Sequence, residues 1–330
     1  MSGPRIGILG PRADDEVLAL SAALRARGAR PWVVDLTGLP AVHALELRGD
    51  EPWFDGRGLR EADAWYLRRL RDPVPVPRPE PAAAADPQPR LERRRRWLTR
   101  LEAERELAGL IDSVLALLPA PVVNPPAAQG VHRERVHHLR RLVAAGLPVP
   151  PFVATNDPDA VAAFVARHSP AGLLEKPLGG FRKTARLPPD PPHVARLERR
   201  PVLLQRFVPG TTLRVYVADD RVAAAAELRN AGHVDSSVDP RPARRISLDD
   251  AEAAVAVRAA RAVGLAFAGV DLQRAADGSG TFVLEANAAP MFANFDRRTG
   301  ADVAGALAGL LVERTRCSPP PAPALRPEER

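Results

Sequence analysis

Lysine is nearly missing from this 330-residue chain: of its 47 lysines and arginines, only Lys176 and Lys183 are lysine. Cysteine is rarer still. The single Cys317 excludes an internal disulfide, and its place in a Pro-rich tail argues against a catalytic thiol. Nowhere does the chain run for the ~18 apolar residues that a membrane-spanning helix needs, so no membrane partner is expected. The opening MSGPRIGILG enters a strand almost at once, without a charged stretch, an apolar run and a cleavage site in succession, and reads as cytoplasmic. Two nucleotide fingerprints are absent as well. The turn LGPRADDE holds no G-x-G-x-x-G, and G-x-x-x-x-G-K-[ST] occurs nowhere, which excludes both a dinucleotide fingerprint and a Walker loop.

What the chain has in excess is arginine, together with alanine, proline and glycine. Its net charge of +7 is spread along the sequence, which raises the isoelectric point without building a nucleic-acid surface. The one dense run, RRRR at 93–96, has Glu102, Glu104 and Glu106 close by and reads as a solvated helix face. Against this background, a retained lysine suggests a position where a compact ammonium serves and a planar guanidinium does not, with chance retention as the plain alternative. Both lysines fall in one short segment, LLEKPLGGFRKT.

The chain opens as a β-α-β layer: RIGILG (5–10), an apolar-periodic helix over 16–26 ended by Gly28, and PWVVDL (31–36). DAWYLRR (63–69) is strand-like, and the Pro-rich stretch at 73–89 reads as an extended linker or surface loop. A long helix is expected over 91–118, then the short strand PVVN (121–124) and a helix reaching about 145. That helix carries His132, His137 and His138, which close no metal-ligand set and are expected on an exposed face. Strands follow at GLLEKP (172–177), VLLQRFV (202–208), LRVYVA (213–218) and RVAAAAEL (221–228). After a helix over 248–263, a hairpin joins FAGVDLQR (267–274) to TFVLEAN (281–287) through a turn containing Asp277 and Gly278. A last helix over 302–313 precedes a tail too Pro-rich and charged to fold alone.

The hairpin carries the strongest chemical signal. Glu285 and Asn287 are two apart on a strand and so emerge on one face. Folding about the turn brings Asp271 roughly opposite Leu284 and Glu285. One Asp, one Glu and one amide oxygen make a hard-oxygen set of the kind that holds Mg²⁺ together with phosphates and water. By spacing alone, an edge hairpin with polar residues facing water fits equally well. Lys176 supplies a complementary half: it ends an apolar strand ahead of Gly179 and Gly180, where backbone approaches a bound group closely.

This order of elements resembles the RimK-like ligases of the ATP-grasp superfamily over roughly residues 121–313. LLEKPLGG is similar to the phosphate-binding strand and loop, VLLQRFVPG to the hinge against which adenine lies, and GVDLQ and VLEANAAP to the metal-bearing strands. The resemblance implies an α/β fold with an α+β grasp. It divides the chain into a pre-ATP-grasp domain over 1–120 with its insert at 73–89, a first lobe over 121–200, a second lobe with the metal site over 201–315, and a tail over 316–330. It also implies ATP and Mg²⁺ as cofactors. Lys176, Lys183 and Arg135 would contact phosphates, while Gln205, Arg206, Phe207 and Val208 would line the adenine slot through backbone groups. Asp271, Glu285 and Asn287 would hold Mg²⁺, and Arg214 would act catalytically near the γ-phosphate or acyl phosphate.

The implied reaction activates a carboxylate as an acyl phosphate, which an amine or hydroxyl then displaces with release of ADP. VDPR (238–241) and AWYLRR (64–69) resemble the branch that macrocyclises ribosomal peptides, so a peptide substrate stands ahead of a small carboxylate. A glutamate-type amino-acid ligase and an inactive ATP-binding module are the alternatives. A homo-oligomer is compatible with the sequence, and no nucleic acid is expected. The chain departs from the family where Arg135 replaces a second phosphate-contacting lysine, Arg206 replaces the hinge acid and Thr212 stands where an aspartate often does. None of these removes a metal-ligand candidate.

Overall fold

The structure, a computed structural model, describes residues 3–68, 88–118, 121–178, 184–187, 201–229 and 241–317. Lys183, Gly179 and Gly180 lie outside them, as do residues 69–87 of the insert region, 230–240 and the tail beyond 317. Two compact units result, one of Met1–Val122 with Leu311–Arg330 and one of Val123–Leu310. Among the described residues, no helix is long and apolar enough to cross a membrane.

The first unit starts as its sequence pattern dictates. β1 (Arg5–Leu9) leads to α1 (Asp15–Ala26) and β2 (Arg30–Val34). Asp14 caps the helix by accepting from the Glu16 and Val17 N–H groups at 3.0 and 3.2 Å. Three short strands that the sequence pattern does not announce follow: β3 (Leu45–Arg48), β4 (Glu51–Phe54) and β5 (Arg57–Gly58), forming their own antiparallel sheet. β6 (Ala64–Leu67) then pairs parallel to β1. Gly7 lies opposite Trp65 there, and a Cβ on it would come within 2.3 Å of the indole, so the two strands pack closely only around glycine. The long helix α2 (Gln88–Ala116) buries Ile111, Val114 and Leu115 in the cluster that holds Leu9, Val34, Trp65 and Leu67. Its Arg94, Arg95 and Arg96 are exposed. β7 (Val122–Val123) completes the sheet in the order β2-β1-β6-β7.

Where the pattern suggests one helix before residue 145, the second unit has two, α3 (Pro126–Arg133) and α4 (Arg135–Ala144), broken at Glu134. β8 (Phe152–Thr155), α5 (Pro158–His168), β9 (Leu173–Lys176), β10 (Ala185–Leu187) and β11 (Val202–Arg206) follow. The four strands form a sheet in the order β10-β9-β11-β8. β11 thus pairs with β9 and β8, so this sheet runs on to Arg206.

A five-stranded antiparallel sheet, β14-β13-β12-β15-β16, makes the rest. It comprises β12 (Gly210–Ala218), β13 (Arg221–Arg229), β14 (Arg241–Arg245), β15 (Phe267–Ala275) and β16 (Thr281–Asn287). α6 (Asp250–Ala262) packs on one face, where Ala256, Ala259 and Ala260 meet Leu213, Val215, Val270 and Leu272. Small residues on the helix let it sit close to these branched side chains. α7 (Ala293–Thr299) and α8 (Val303–Cys317) end the described chain.

Asn124 fastens this sheet. It is fully buried, donates to the Phe267 and Ala288 carbonyls at 2.6 and 2.8 Å, and accepts from the Ala266 and Phe267 N–H groups at 2.9 and 3.1 Å. Asn124→Ala strands these backbone groups, each of which costs ~1–3 kcal/mol when buried unpaired. Urea denaturation is expected to show a stability loss of about 3 kcal/mol, with Asn124→Asp recovering only the accepting half.

Candidate active site

Alternation along the second sheet divides core from site. Leu213, Val215, Val270, Leu272 and Val283 belong to the hydrophobic cluster beneath α6. Arg214, Tyr216, Gly269 and Asp271, the intervening residues, therefore emerge on the other face. The cross-strand register aligns them as Arg214 with Asp271, and Asp271 in turn with Glu285. Gly269 pairs with Asn287.

β16 reaches this arrangement only through an irregularity. Its register with β15 shifts between Asp271 and Leu272, so that Leu272 faces Val283 while Asp271 faces Glu285. Leu284 is the extra residue. Val283 is buried at 0%, and strict alternation would turn Glu285 to the same core face. After the shift it is Ala286, also 0% exposed, that enters the core. The bulge thus re-aims Glu285 and Asn287 onto the face of Asp271. The expectation that Asp271 lies near Leu284 and Glu285 resolves to Glu285.

Arginine charges balance the carboxylates. Arg214 Nε lies 2.7 Å from Asp271 Oδ1 and its Nη2 donates to Oδ2 at 3.2 Å, a two-pronged contact in a largely buried pair. Burial alone would favour loss of the Arg214 proton, but the Asp271 carboxylate, with Tyr216 and Glu285 beside it, holds its pKa above the ordinary arginine value. Arg135 Nη1 stands 3.6 Å from Glu285 Oε2. Asn287 Oδ1 accepts from the Ala289 N–H at 2.9 Å. Pro290 packs against Gly269, where a Cβ would lie 2.6 Å from the proline Cβ and 3.2 Å from Arg214 Nη1.

The first sheet contributes Lys176. It sits with Arg135, His138, Leu139, Leu203, Leu284 and Glu285 around a small cleft. An ammonium, a guanidinium and a carboxylate thus come together from β9, α4 and β16. Among the described residues, no group of three or more His, Cys, Asp or Glu able to hold a metal is found. The set at hand is two carboxylates and an amide oxygen, which suits a hard cation that takes its remaining ligands from phosphates and water.

Gln205 to Val208 lie where β11 leaves its sheet. The Gln205 side chain is fully buried and donates to the Pro150 carbonyl at 3.4 Å, and its strand is paired on both sides, with β8 and β9. The Arg206 and Phe207 N–H groups donate to the Pro151 and Gly172 carbonyls at 2.8 and 2.9 Å. Thr212 donates to Gln273 at 2.8 Å, and Gln273 donates to the Val208 carbonyl at 3.0 Å. Thr212 is thus linked through Gln273 to the backbone at Val208. The Arg206 guanidinium lies over Phe282 at 5.5 Å.

One sequence expectation is corrected. His138 is not on an exposed face: only 3% accessible, it accepts from the Ala286 N–H at 3.1 Å. His137 alone of this pair is exposed, 3.3 Å from Glu134. Helical periodicity turns His138 with Leu139 and Leu142 toward the sheet, and no sequence motif marks it.

A RimK-like ATP-grasp domain profile matches residues 195–311. A probable alpha-L-glutamate ligase of Mannheimia succiniciproducens is 32% identical over 222 residues, covering 61% of this chain and 72% of that one. The chain belongs to the RimK-like ATP-grasp family. Among solved structures, the ATP-grasp ligase PsnB, complexed with a phosphomimetic variant of its minimal precursor, Mg and ADP, aligns with a TM-score of 0.77 at 31% identity. That alignment covers 96% of this chain and 100% of PsnB. The macrocyclase MdnC from Microcystis aeruginosa, bound with its precursor peptide MdnA, aligns with a TM-score of 0.75 over 93% of this chain and 99% of MdnC. At 19% identity its likeness speaks for the fold. The chain is thus an ATP-grasp ligase, of a family that works with ATP and Mg²⁺ and releases ADP.

Proposed function

We propose that this ligase activates carboxyl groups of a peptide as acyl phosphates and joins them to amines or hydroxyls of that peptide. The observation that carries the site is the register placing Asp271 opposite Glu285, with Arg214 on one side and the Lys176–Arg135 cleft on the other. The observation that favours a peptide is the likeness to PsnB, which extends through both units rather than the grasp alone.

In the reaction, a substrate carboxylate oxygen attacks the γ-phosphorus and the bond to ADP breaks. The acceptor nitrogen or oxygen then attacks the acyl carbon, loses its proton to solvent, and phosphate departs with the former carboxyl oxygen. Lys176 and Arg135 grip nucleotide phosphates as fixed positive charges. The backbone at Val208, just beyond the end of β11, is offered to the adenine edge. Asp271, Glu285 and Asn287 hold Mg²⁺, which when bound neutralises charge on the transferring phosphoryl group. Arg214, lying against Asp271, faces the same charge from the sheet side and steadies the transfer.

The test is to incubate the chain and ATP with a peptide rich in Thr, Ser, Asp and Glu. Mass spectrometry should show loss of one water for each bond formed, together with ADP. The 32% identity to a probable alpha-L-glutamate ligase favours a second reading, addition of glutamate to a carboxylate. It predicts a gain of one glutamyl residue instead, and a peptide left unchanged alongside glutamate-dependent ADP release would overturn the first reading.

A further inference from the structure

β16 is the edge strand of its sheet, so the N–H groups on its outer side have no neighbouring strand to meet them. Two are met from elsewhere. Before the bulge, the Val283 N–H donates to the Pro148 carbonyl at 2.7 Å. After it, the Ala286 N–H donates to His138 Nε2 at 3.1 Å, with both residues buried. Ala286 stands between Glu285 and Asn287. An imidazole nitrogen that accepts carries no proton, so His138 takes part as the neutral ring with its proton on Nδ1. Arg135, three residues earlier on α4 and therefore on the same helix face, reaches Glu285 at 3.6 Å. One face of α4 thus engages two successive residues of β16.

We propose that His138 is a positioning residue for the metal-holding strand. Its Nε2 fixes the backbone at Ala286 and so sets where the Glu285 and Asn287 side chains emerge. The Leu284 bulge makes such a fastening necessary. An extra residue on an unpaired edge gives the strand an alternative register, and in that register Glu285 points into the core. This inference rests on the assignment of Glu285 and Asn287 to Mg²⁺.

Calorimetric binding of ADP to the full chain, in Mg²⁺ and separately in EDTA, tests it. Thermal midpoints are measured in parallel. Removing an outer partner of a metal site costs roughly 10–100-fold in metal affinity. His138→Ala is therefore expected to reduce the Mg²⁺-dependent gain in ADP affinity by about tenfold or more, a larger loss than any seen in EDTA. His138→Gln, whose amide oxygen can accept from Ala286 where Nε2 does, should restore most of that gain. Three outcomes overturn the proposal: an unchanged gain in His138→Ala, an equal loss with and without Mg²⁺, or failure of His138→Gln to rescue at a parental thermal midpoint. If the parent chain itself shows no Mg²⁺-dependent gain, the metal assignment falls and this inference with it; a gain retained in His138→Ala overturns this inference alone.

Discussion

Glu285→Gln is expected to reduce substrate-dependent ADP release by roughly 10²–10³-fold, the scale on which loss of one electrostatic stabiliser acts. Glutamine keeps the shape and one acceptor oxygen of Glu285, so β16 and its bulge persist. What disappears is one of the two negative charges that the register brings face to face. Hard cations bind carboxylates far better than amides, and charge count sets affinity at such sites. The deficit should therefore shrink as Mg²⁺ is raised. Measuring ADP release across a Mg²⁺ series, with circular dichroism to verify the fold, separates this from unfolding. A variant that turns over at the parental rate in limiting Mg²⁺ would remove Glu285 from the site.

The second large effect belongs to Arg214. Its guanidinium and the Asp271 carboxylate are each only 13% exposed. Taking one partner from a buried ion pair leaves the other uncompensated and typically costs ~3–5 kcal/mol. Arg214→Met should lose both turnover and stability, on about that scale in denaturant unfolding. Adding Asp271→Asn removes the stranded charge, so the double variant should recover stability while remaining inactive. The Arg214 pKa is held above its ordinary value, so the pair's stabilisation is fully present below the unfolded arginine pKa and is lost only as pH rises through the folded one. No change is expected from it near neutrality. Recovery of turnover in the double variant would show that Arg214 serves the fold and not the reaction.

How far the sequence could be read follows from the range of the signals. The β-α-β opening was legible because capping by Asp14 and the apolar spacing of Val17, Leu20 and Leu24 are local features. The carboxylate-bearing hairpin was legible for the same reason: its turn and the i, i+2 spacing lie within twenty residues of each other. The small sheet β3–β5 escaped notice because its strands are two to four residues long, too short for alternation to stand out. Lys176 stands out locally as one of two retained lysines, but Arg135 could be named only through resemblance, since nothing local ties an α4 arginine to a β9 lysine. The link from Thr212 through Gln273 to Val208 was not legible either, since it joins residues of separate strands.

By itself, then, the sequence determined most of the order of elements and the residue types available to hold Mg²⁺ and phosphate, while the grasp-type α/β class came from its resemblance to a family. These are properties of neighbouring residues, and the physics that sets them acts along the chain. Tertiary structure decided which of those residues meet. It placed the extra residue at Leu284, where one step of register chooses between Glu285 in the core and Glu285 beside Asp271. It paired Arg214 with Asp271 across strands fifty-seven positions apart, and it turned His138 inward to hold Ala286. Such choices are fixed by the buried face of the whole sheet against α6, a condition no local stretch of sequence contains.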